Sequence, residues 1–250
     1  MNDSLAPEAV AAQLGGRFGV PYLYEAECES TQALLLGSDL PEGAAAATDH
    51  QTGGRGRLGR RWEALPGSSL LVSVLLRPPA ARDLPELSLV AAVAAAEAVE
   101  LATGLSAQIK WPNDVMLNRR KVAGILSELA DGTVVVGVGV NVNQTRDELP
   151  AEATTPAGSL RTLTGREHDR AALLGSLLGR LELAYDSWRD GGLEAIYGEL
   201  GARDFLRGRQ ITVDGQRARA VHIERDGRLR IETAAGDERV LESGEVLFAA

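Results

Sequence analysis

The 250-residue sequence contains one cysteine, two lysines and no uncharged apolar run long enough to span a membrane. The single cysteine, Cys28, excludes a disulfide framework and a cysteine-based metal cluster, as expected in a reducing cytoplasm. The N-terminus lacks the basic and then apolar pattern of a secretion signal. A net charge of −9 argues against a general nucleic-acid binder, whose surface would be basic. These absences predict a soluble, cytoplasmic protein with no membrane partner and no specific DNA binding.

The scarcity of lysine points to a site. Only Lys110 and Lys121 occur, both inside the segment 110–128, and arginine carries every other basic side chain. A guanidinium is broad and planar, whereas an ammonium is a compact charge whose three donors fit between converging oxygens. The two lysines therefore predict a site for carboxylate or phosphate oxygens, with chance retention of two lysines as the alternative.

The pattern of apolar residues predicts an α+β fold. Strands are predicted at 22–27, 44–48, 69–76, 107–111, 115–117, 122–129 and 133–143. Helices are predicted at 8–14, 32–36, 84–102 and 169–189. Because strands outnumber helices and follow one another through tight turns, we expect a mixed or antiparallel sheet backed by helices. After about residue 202 short alternating segments replace the helices, which predicts a large domain at 1–202 and a small β-barrel at 203–250.

A loop of alternating glycine and arginine, Gly53 to Arg61, is the first chemical motif. Glycine lets the backbone approach an anion closely while guanidinium groups reach its oxygens, so the loop suits phosphate. It is neither a Walker loop nor a dinucleotide fingerprint, because no G-K-[ST] follows and no helix begins directly behind it. The alternative is a disordered arginine-glycine segment that contacts nucleic acid.

The segment K-W-P-N-D at 110–114 is the second motif. Pro112 forces a turn directly after a strand, so Asn113 and Asp114 are presented at the strand end beside Lys110. This predicts a polar cluster at a sheet edge. Trp111 is expected in the core more than in a ligand platform.

The third motif is the strictly alternating strand at 133–143. Its valines share one face, whereas Gly137, Gly139, Asn141 and Asn143 share the other. Glycine weakens a strand, so its confinement to one face indicates that something packs there. A ligand, another backbone and a neighbouring helix remain open.

Together these motifs resemble those of the biotin protein ligase family. The family's G-R-G-R-x-G, K-W-P-N-D, K-x-x-G-I-L-x-E and G-x-G-x-N appear in order, at 54–59, 110–114, 121–128 and 137–141. The resemblance covers roughly residues 20–250 and implies a catalytic fold similar to that of class II aminoacyl-tRNA synthetases, followed by an SH3-like β-barrel. About 20 residues precede it, too few for a DNA-binding domain, so it implies the monofunctional type. The family's S-T-N reads S-T-Q here, which leaves the role of Gln32 open.

The resemblance implies a two-step ATP-dependent reaction. The biotin carboxylate attacks the α-phosphate of ATP to give biotinoyl-AMP and pyrophosphate. A lysine of a biotin carboxyl carrier protein, or of that domain in a carboxylase, then attacks the mixed anhydride to form an amide. Since both reacting groups belong to substrates, the enzyme need only align them and neutralise charge. The sequence accordingly shows no convincing pair of nucleophile and base.

Site residues follow from the same resemblance. Lys121 would bind the biotin carboxylate and then the anhydride oxygens, while Arg55 and Arg57 would hold phosphate and close the loop. The implied catalytic residues are Lys121, Arg57 and Lys110. The implied biotin-binding residues are Ser30, Thr31, Gln51, Gly54, Arg55, Lys121 and Gly124. The implied ATP and adenylate contacts are Arg55, Arg57, Trp62, Lys110, Asn113 and Asn141, and Asp114 would lie near a Mg²⁺ ion held mainly by the ATP phosphates.

Two other functions remain open from sequence. Lipoate protein ligases perform the same adenylation chemistry on a related fold but usually lack the paired G-R-G-R-x-G and K-W-P-N-D motifs. A non-catalytic module that binds nucleic acid through the arginine-glycine loop is opposed by the acidic net charge. The oligomeric state is also open, a homodimer included.

Overall fold

A computed structural model describes residues 3–130, 132–151 and 153–248, and within them twelve strands form two sheets. The strands of the first sheet are β1 (Tyr22–Cys28), β2 (Ala45–Gln51), β3 (Ser69–Leu76), β4 (Ala107–Lys110), β5 (Asp114–Leu117), β6 (Arg120–Ala130) and β7 (Thr133–Asn141). Those of the second are β8 (Gln210–Val213), β9 (Gln216–Ile223), β10 (Leu229–Thr233), β11 (Glu238–Leu241) and β12 (Val246–Phe248). The helices are α1 (Pro7–Val10), α2 (Leu87–Thr103), α3 (Leu160–Thr164), α4 (Arg170–Gly191) and α5 (Tyr197–Ala202).

The first sheet has the strand order β1-β2-β3-β7-β6-β5-β4. Strands β1 and β2 pair in parallel, and the remaining neighbours are antiparallel. The predicted mixed sheet of an α+β fold is therefore confirmed. Strand β7 lies at its centre, between β3 and β6, so the alternating motif occupies the middle of the sheet.

Helices α2 and α4 cover one face of this sheet. Most of α2 is alanine and valine and is buried on nearly all sides, because small side chains let it lie close to both α4 and the strands. Val134, Val136, Val138 and Val140 of β7 join the same apolar core. The valines do share one apolar face, as the alternation predicted, and the structure shows that the helices pack on this face.

Several predicted boundaries differ from the structure. Residues 32–36 form hydrogen-bonded turns instead of a helix, since five residues repay little of the cost of helix nucleation. The predicted helix at 8–14 divides into α1 and a 3₁₀ turn at Ala11–Gln13. The helix predicted from residue 84 begins with the 3₁₀ turn Leu84–Glu86, which contains Pro85, and becomes α-helical at Leu87.

The second sheet is antiparallel and has the order β11-β10-β9-β8-β12. Residues that flank its strands form hydrogen bonds with residues at the β4 edge of the first sheet. The backbone N–H of Phe205 donates to the carbonyl of Ile109 at 2.9 Å, and Trp111 Nε1 donates to the carbonyl of Gly227 at 2.8 Å. The buried Asp204 carboxylate accepts from the N–H groups of Leu206 and Ile223, each at 3.0 Å. Trp111 is buried and belongs to the core, as predicted.

Candidate active site

A cavity of about 140 Å³ lies on the glycine face of β6 and β7, opposite the helices. All three sequence motifs contribute to its walls. The predicted site residues that line it are Thr31, Gln51, Arg55, Arg57, Trp62, Lys110, Asn113, Asp114, Lys121 and Gly124. Residues 244–246 of the C-terminal segment complete one wall.

Lys121 reaches this cavity because of a β-bulge. Asp114 pairs with Gly124 and Val115 with Ala123, but Met116 pairs with Lys121, so Val122 is an extra residue in β6. Val122 and Ala123 consequently both point into the core, and Lys121 emerges on the same face as Gly124. The spacing K-V-A-G is therefore the sequence of a bulge that directs an ammonium into the cavity.

The two lysines flank one carboxylate. Lys121 Nζ lies 2.6 Å from Asp114 Oδ1, and Lys110 Nζ lies 3.7 Å from Asp114 Oδ2. Burial lowers the pKa of Lys110, the nearby Asp114 carboxylate opposes this shift, and Lys121 adds to it. With one carboxylate between two ammonium groups, this end of the cavity keeps an excess positive charge and favours an anion.

The arginine-glycine loop is folded over the cavity. Arg57 Nη1 donates to Asn113 Oδ1 at 3.4 Å, and Asn113 Nδ2 donates to the carbonyl of Ile125 at 2.7 Å. Burial lowers the pKa of the Arg57 guanidinium, and Asp114 opposes that shift. Arg55 instead pairs with Glu128 on β6 at 2.9 Å, with half of its side chain exposed.

Trp62 follows the loop, and its indole lies across the cross-strand pair Gly124 and Gly139. A Cβ atom added at Gly139 would lie 2.7 Å from Trp62 Cε2, and one added at Gly124 would lie 3.0 Å from Cζ3. Lys121 Nζ is 5.7 Å from the ring centroid. The glycines of this face therefore admit an aromatic side chain and not a packed helix.

Gln32 covers the next glycine along β7. Its side-chain amide donates to the carbonyls of Leu126 at 3.1 Å and Val135 at 3.4 Å, and a Cβ added at Gly137 would lie 3.1 Å from its Cδ. The side chain closes this end of the cavity, a role that the sequence left open. Gln32 thus lines the cavity although no site role was assigned to it from the sequence.

Thr31 and Gln51 form the polar end of the cavity. The Thr31 N–H donates to Gln51 Oε1 at 2.8 Å, and the Thr31 hydroxyl lies 2.7 Å from the hydroxyl of Ser73 on β3. This arrangement fixes the orientation of the Gln51 side-chain amide, because Thr31 holds its oxygen.

Ser30, Gly54 and Asn141 do not line the cavity. The Ser30 hydroxyl accepts from the N–H of Ala33 at 3.2 Å and supports the turn. A Cβ added at Gly54 would lie 2.3 Å from the carbonyl oxygen of Trp62, so this glycine serves the loop itself. Asn141 is buried and donates to the carbonyl of Gly158 at 3.0 Å.

The residues present do not fit a Mg²⁺ ion bound by the protein alone. Among the residues that the structure describes, no three histidine, cysteine or acidic side chains are grouped to hold a metal. Both oxygens of Asp114 already face ammonium groups. A hard divalent cation requires several oxygen ligands, and Asp114 has no oxygen that is free of an ammonium neighbour.

The chain is similar to known proteins over most of its length. Residues 26–144 match the model of the Biotin/lipoate A/B protein ligase family. The chain is 34% identical to the bifunctional ligase/repressor BirA of Bacillus spizizenii, over 89% of this chain and 72% of that protein. It is 33% identical to the biotin–[acetyl-CoA-carboxylase] ligase of Mycobacterium tuberculosis, over 89% of this chain and 86% of that protein. The biotin protein ligase from Aquifex aeolicus in complex with biotin and ATP superimposes with a TM-score of 0.82 at 32% identity, covering 91% and 98% of the two chains. The chain belongs to the biotin protein ligase family.

Within the described residues, no helix has the length and apolar character needed to cross a membrane.

Proposed function

We propose that this protein attaches biotin to a lysine of a biotin carboxyl carrier protein, using ATP and passing through biotinoyl-AMP. The observation that carries the proposal is the Lys121 ammonium, which a β-bulge directs into a glycine-floored cavity beside Lys110 and Arg57. Similarity to the Aquifex aeolicus enzyme in complex with biotin and ATP supports both substrates. Similarity to ligases named for acetyl-CoA carboxylase supports the acceptor.

In the first step the biotin carboxylate lies at the positive end of the cavity. Lys121 binds a carboxylate oxygen, and this oxygen attacks the α-phosphorus of ATP while the bond to pyrophosphate breaks. Arg57 and Lys110 neutralise the charge that develops on the phosphate oxygens. The cavity supplies fixed cations in place of water, so little reorganisation is required at the moment of reaction.

In the second step the neutral amine of the acceptor lysine attacks the carbonyl carbon of biotinoyl-AMP. The amide bond forms, AMP leaves with the bonding electron pair, and the proton of the amine passes to the departing AMP phosphate or to water. Lys121 stabilises the oxygen that becomes negative in the transition state. No side chain of the enzyme needs to act as a nucleophile.

Mg²⁺ belongs to the proposal only as the usual companion of the ATP phosphates. We also propose that the domain at 1–202 binds both substrates, whereas the domain at 203–250 supplies the part of the cavity wall at 244–246. Because ATP and the carrier are required, we place the reaction in the cytoplasm.

Pyrophosphate release tests the proposal. The purified protein is given ATP with biotin, with lipoate or with RNA, and then with a purified biotin carboxyl carrier domain. We expect pyrophosphate with biotin alone among the three, followed by a mass increase of the carrier on one lysine. Release with lipoate would favour the related lipoate ligase activity, and no release with any of them would contradict adenylation. Lys121→Ala serves as the matched inactive control.

A further inference from the structure

A buried cation begins helix α4. Arg170 is 2% exposed, although a positive charge is unfavourable in the first turn of a helix and costly to bury without partners. Its guanidinium lies between two carboxylates: Nη1 donates to Asp49 Oδ1 at 2.8 Å, and Nε lies 3.1 Å from Asp3 Oδ2. Nη2 also donates to the carbonyl of Asp3 at 2.6 Å. Arg170 does not line the cavity, so neither helix formation nor direct contact with a ligand there explains its position.

The partners of Arg170 include both ends of the loop that covers the cavity. This β2–β3 loop, residues 52–68, carries the arginine-glycine segment and Trp62. Asp49 lies near the end of β2, and Ser69, whose carbonyl accepts from Arg170 Nη1 at 3.2 Å, is the first residue of β3. One guanidinium nitrogen thus joins the strand that enters the loop to the strand that leaves it.

The strand ladder does not hold these two ends together. Pairing between β2 and β3 ends at Thr48 and Leu71, before either strand reaches the loop. Beyond that pair, the N–H of Gly67 donates to the carbonyl of Asp49 at 3.0 Å, and a Cβ added at Gly67 would lie 4.0 Å from Arg170 Nη2. The guanidinium therefore lies against the base of the loop.

The Asp49 carboxylate is itself held in one orientation. The hydroxyl of Tyr24 on β1 donates to its Oδ2 at 2.5 Å, while its Oδ1 accepts from Arg170. Gln51, which lines the cavity, follows two residues later in the same strand. Arg170 and Tyr24 together therefore fix this carboxylate at the point where the chain leaves β2 for the loop.

We propose that Arg170 is a positioning residue: by holding Asp49 and Ser69 together, it fixes the base of the β2–β3 loop so that the loop can close over the ligands. The inference rests on the proposed function, in which closure of this loop brings Arg57 to the phosphate oxygens. A loop whose ends are fixed loses less conformational freedom on closing, so the closed state is more populated and a bound intermediate escapes more slowly.

Two matched substitutions separate this role from a purely structural one. Asp49→Asn and Asp3→Asn each remove one carboxylate charge from the same guanidinium, and the two side chains are similarly exposed, at 26% and 28%. Arg170 keeps one carboxylate partner in both variants. Only Asp49 belongs to the base of the loop, whereas Asp3 belongs to the segment before α1. If Arg170 served folding alone, the two substitutions should have equal effects.

We expect Asp49→Asn to release biotinoyl-AMP on the order of tenfold faster than the wild type, because a charge-assisted hydrogen bond at the base of the loop is lost. The intermediate is formed from biotin and labelled ATP, the complex is diluted into unlabelled biotin and ATP, and the label that passes a filter is followed over time. Amides at 53–61 should also exchange roughly a few-fold faster in the ligand-free variant. Asp3→Asn should stay within about twofold of the wild type in both measurements.

Tyr24→Phe is the second variant, and it keeps the test decisive even if Asp49→Asn does not fold. It removes the other hydrogen bond to Asp49 and leaves every charge in place. Its control is Tyr22→Phe, because the Tyr22 hydroxyl donates to the carbonyl of Leu5 outside the loop base. Escape of the intermediate and exchange at 53–61 should increase by roughly a few-fold in the Tyr24 variant and not in the Tyr22 variant.

Equal effects of the two asparagine variants, or unchanged escape and exchange in both Asp49→Asn and Tyr24→Phe, would overturn the inference. The proposed function would survive either result as long as biotin-dependent pyrophosphate release persisted. If the wild type formed no biotinoyl-AMP, the proposed function would fail, and the exchange rates of the ligand-free proteins would still decide whether Arg170 fixes the loop.

Discussion

The ammonium of Lys121 lies 2.6 Å from the carboxylate of Asp114, and both belong to adjacent antiparallel strands. The aspartate holds the lysine at the cavity wall before any substrate is present. An incoming carboxylate then competes for an ammonium that is already in position, so little side-chain freedom is lost on binding.

Replacing Lys121 with arginine should abolish activity almost as completely as replacing it with alanine. A donor preorganised for a developing oxyanion typically contributes a factor on the order of 10² to 10³ in rate, and the wider guanidinium would move its charge by about an ångström. Steady-state pyrophosphate release with biotin measures the effect. Turnover near that of the wild type would show that charge alone suffices.

Gly139→Ala should weaken ligand binding and leave the fold intact. The new Cβ would lie 2.7 Å from the Trp62 ring, so the indole and the loop before it must move away from the sheet. Thermal melts with and without biotin and ATP should show an apparent melting temperature near that of the wild type, with ligand-induced stabilisation lost. Gly179→Ala on α4, where nothing lies within 4 Å, is the control and should retain the ligand response. A large loss of stability with the response retained would mean that the glycine serves the core.

The loop at 53–61 should open to admit substrates. The cavity of about 140 Å³ is smaller than the roughly 300–1,000 Å³ of ordinary small-molecule sites. Arg60 holds the closed loop by pairing with Glu245 of the C-terminal segment. Arg60→Glu should therefore speed hydrogen exchange in the loop without ligand by a few-fold, consistent with the about 0.2–1 kcal/mol of an exposed pair. Combining it with Glu245→Arg should restore protection. If the hydrogen-exchange rate of the loop changed neither with these substitutions nor on adding biotin, the coupling of loop closure to ligand binding would be contradicted.

Lys110→Met should stabilise the ligand-free protein while reducing activity. Burial lowers the pKa of Lys110, which means that its charged form costs folding free energy at neutral pH. Asp114 does not become an unpaired charge, because Lys121 remains nearer to it. For a gain of about 1 kcal/mol, the melting temperature should rise by roughly 2–4 °C.

The pH dependence of the difference in melting temperature between the two proteins identifies its physical cause. The free-energy cost of burying the Lys110 ammonium is fully present below the lowered pKa and disappears as pH rises past the ordinary pKa of lysine. The stability advantage of the methionine variant should therefore shrink toward about pH 10. Melting curves of both proteins across this range measure it. A difference that stays constant with pH would indicate better packing instead of relief of a buried charge.

Much of the sheet was predictable because its signals are local. Alternation defines the valine face of β7, and the predicted strands at 107–111, 115–117 and 122–129 bring Lys110, Asp114 and Lys121 onto neighbouring strands or next to their ends. The bulge that turns Lys121 into the cavity was not predicted. The contribution of Glu245 was not predictable, because no motif surrounds it and it reaches the cavity only through the arrangement of the second sheet. Asn141 belongs to a recognisable motif, yet the structure buries it against Gly158 outside the cavity lining.

The hydrogen bonds that join the two sheets have a consequence for how the molecule comes apart. Asp204 is buried and accepts two backbone N–H groups of its own segment, and it also forms a bridge with Ile109 at the edge of the first sheet. Detaching the C-terminal segment would break the backbone hydrogen bonds that join Ile109 to Arg203 and Phe205, and it would leave the indole of Trp111 without its acceptor. Heating or denaturant should therefore dismantle both sheets in one cooperative transition, and a protease should find no early cut between them.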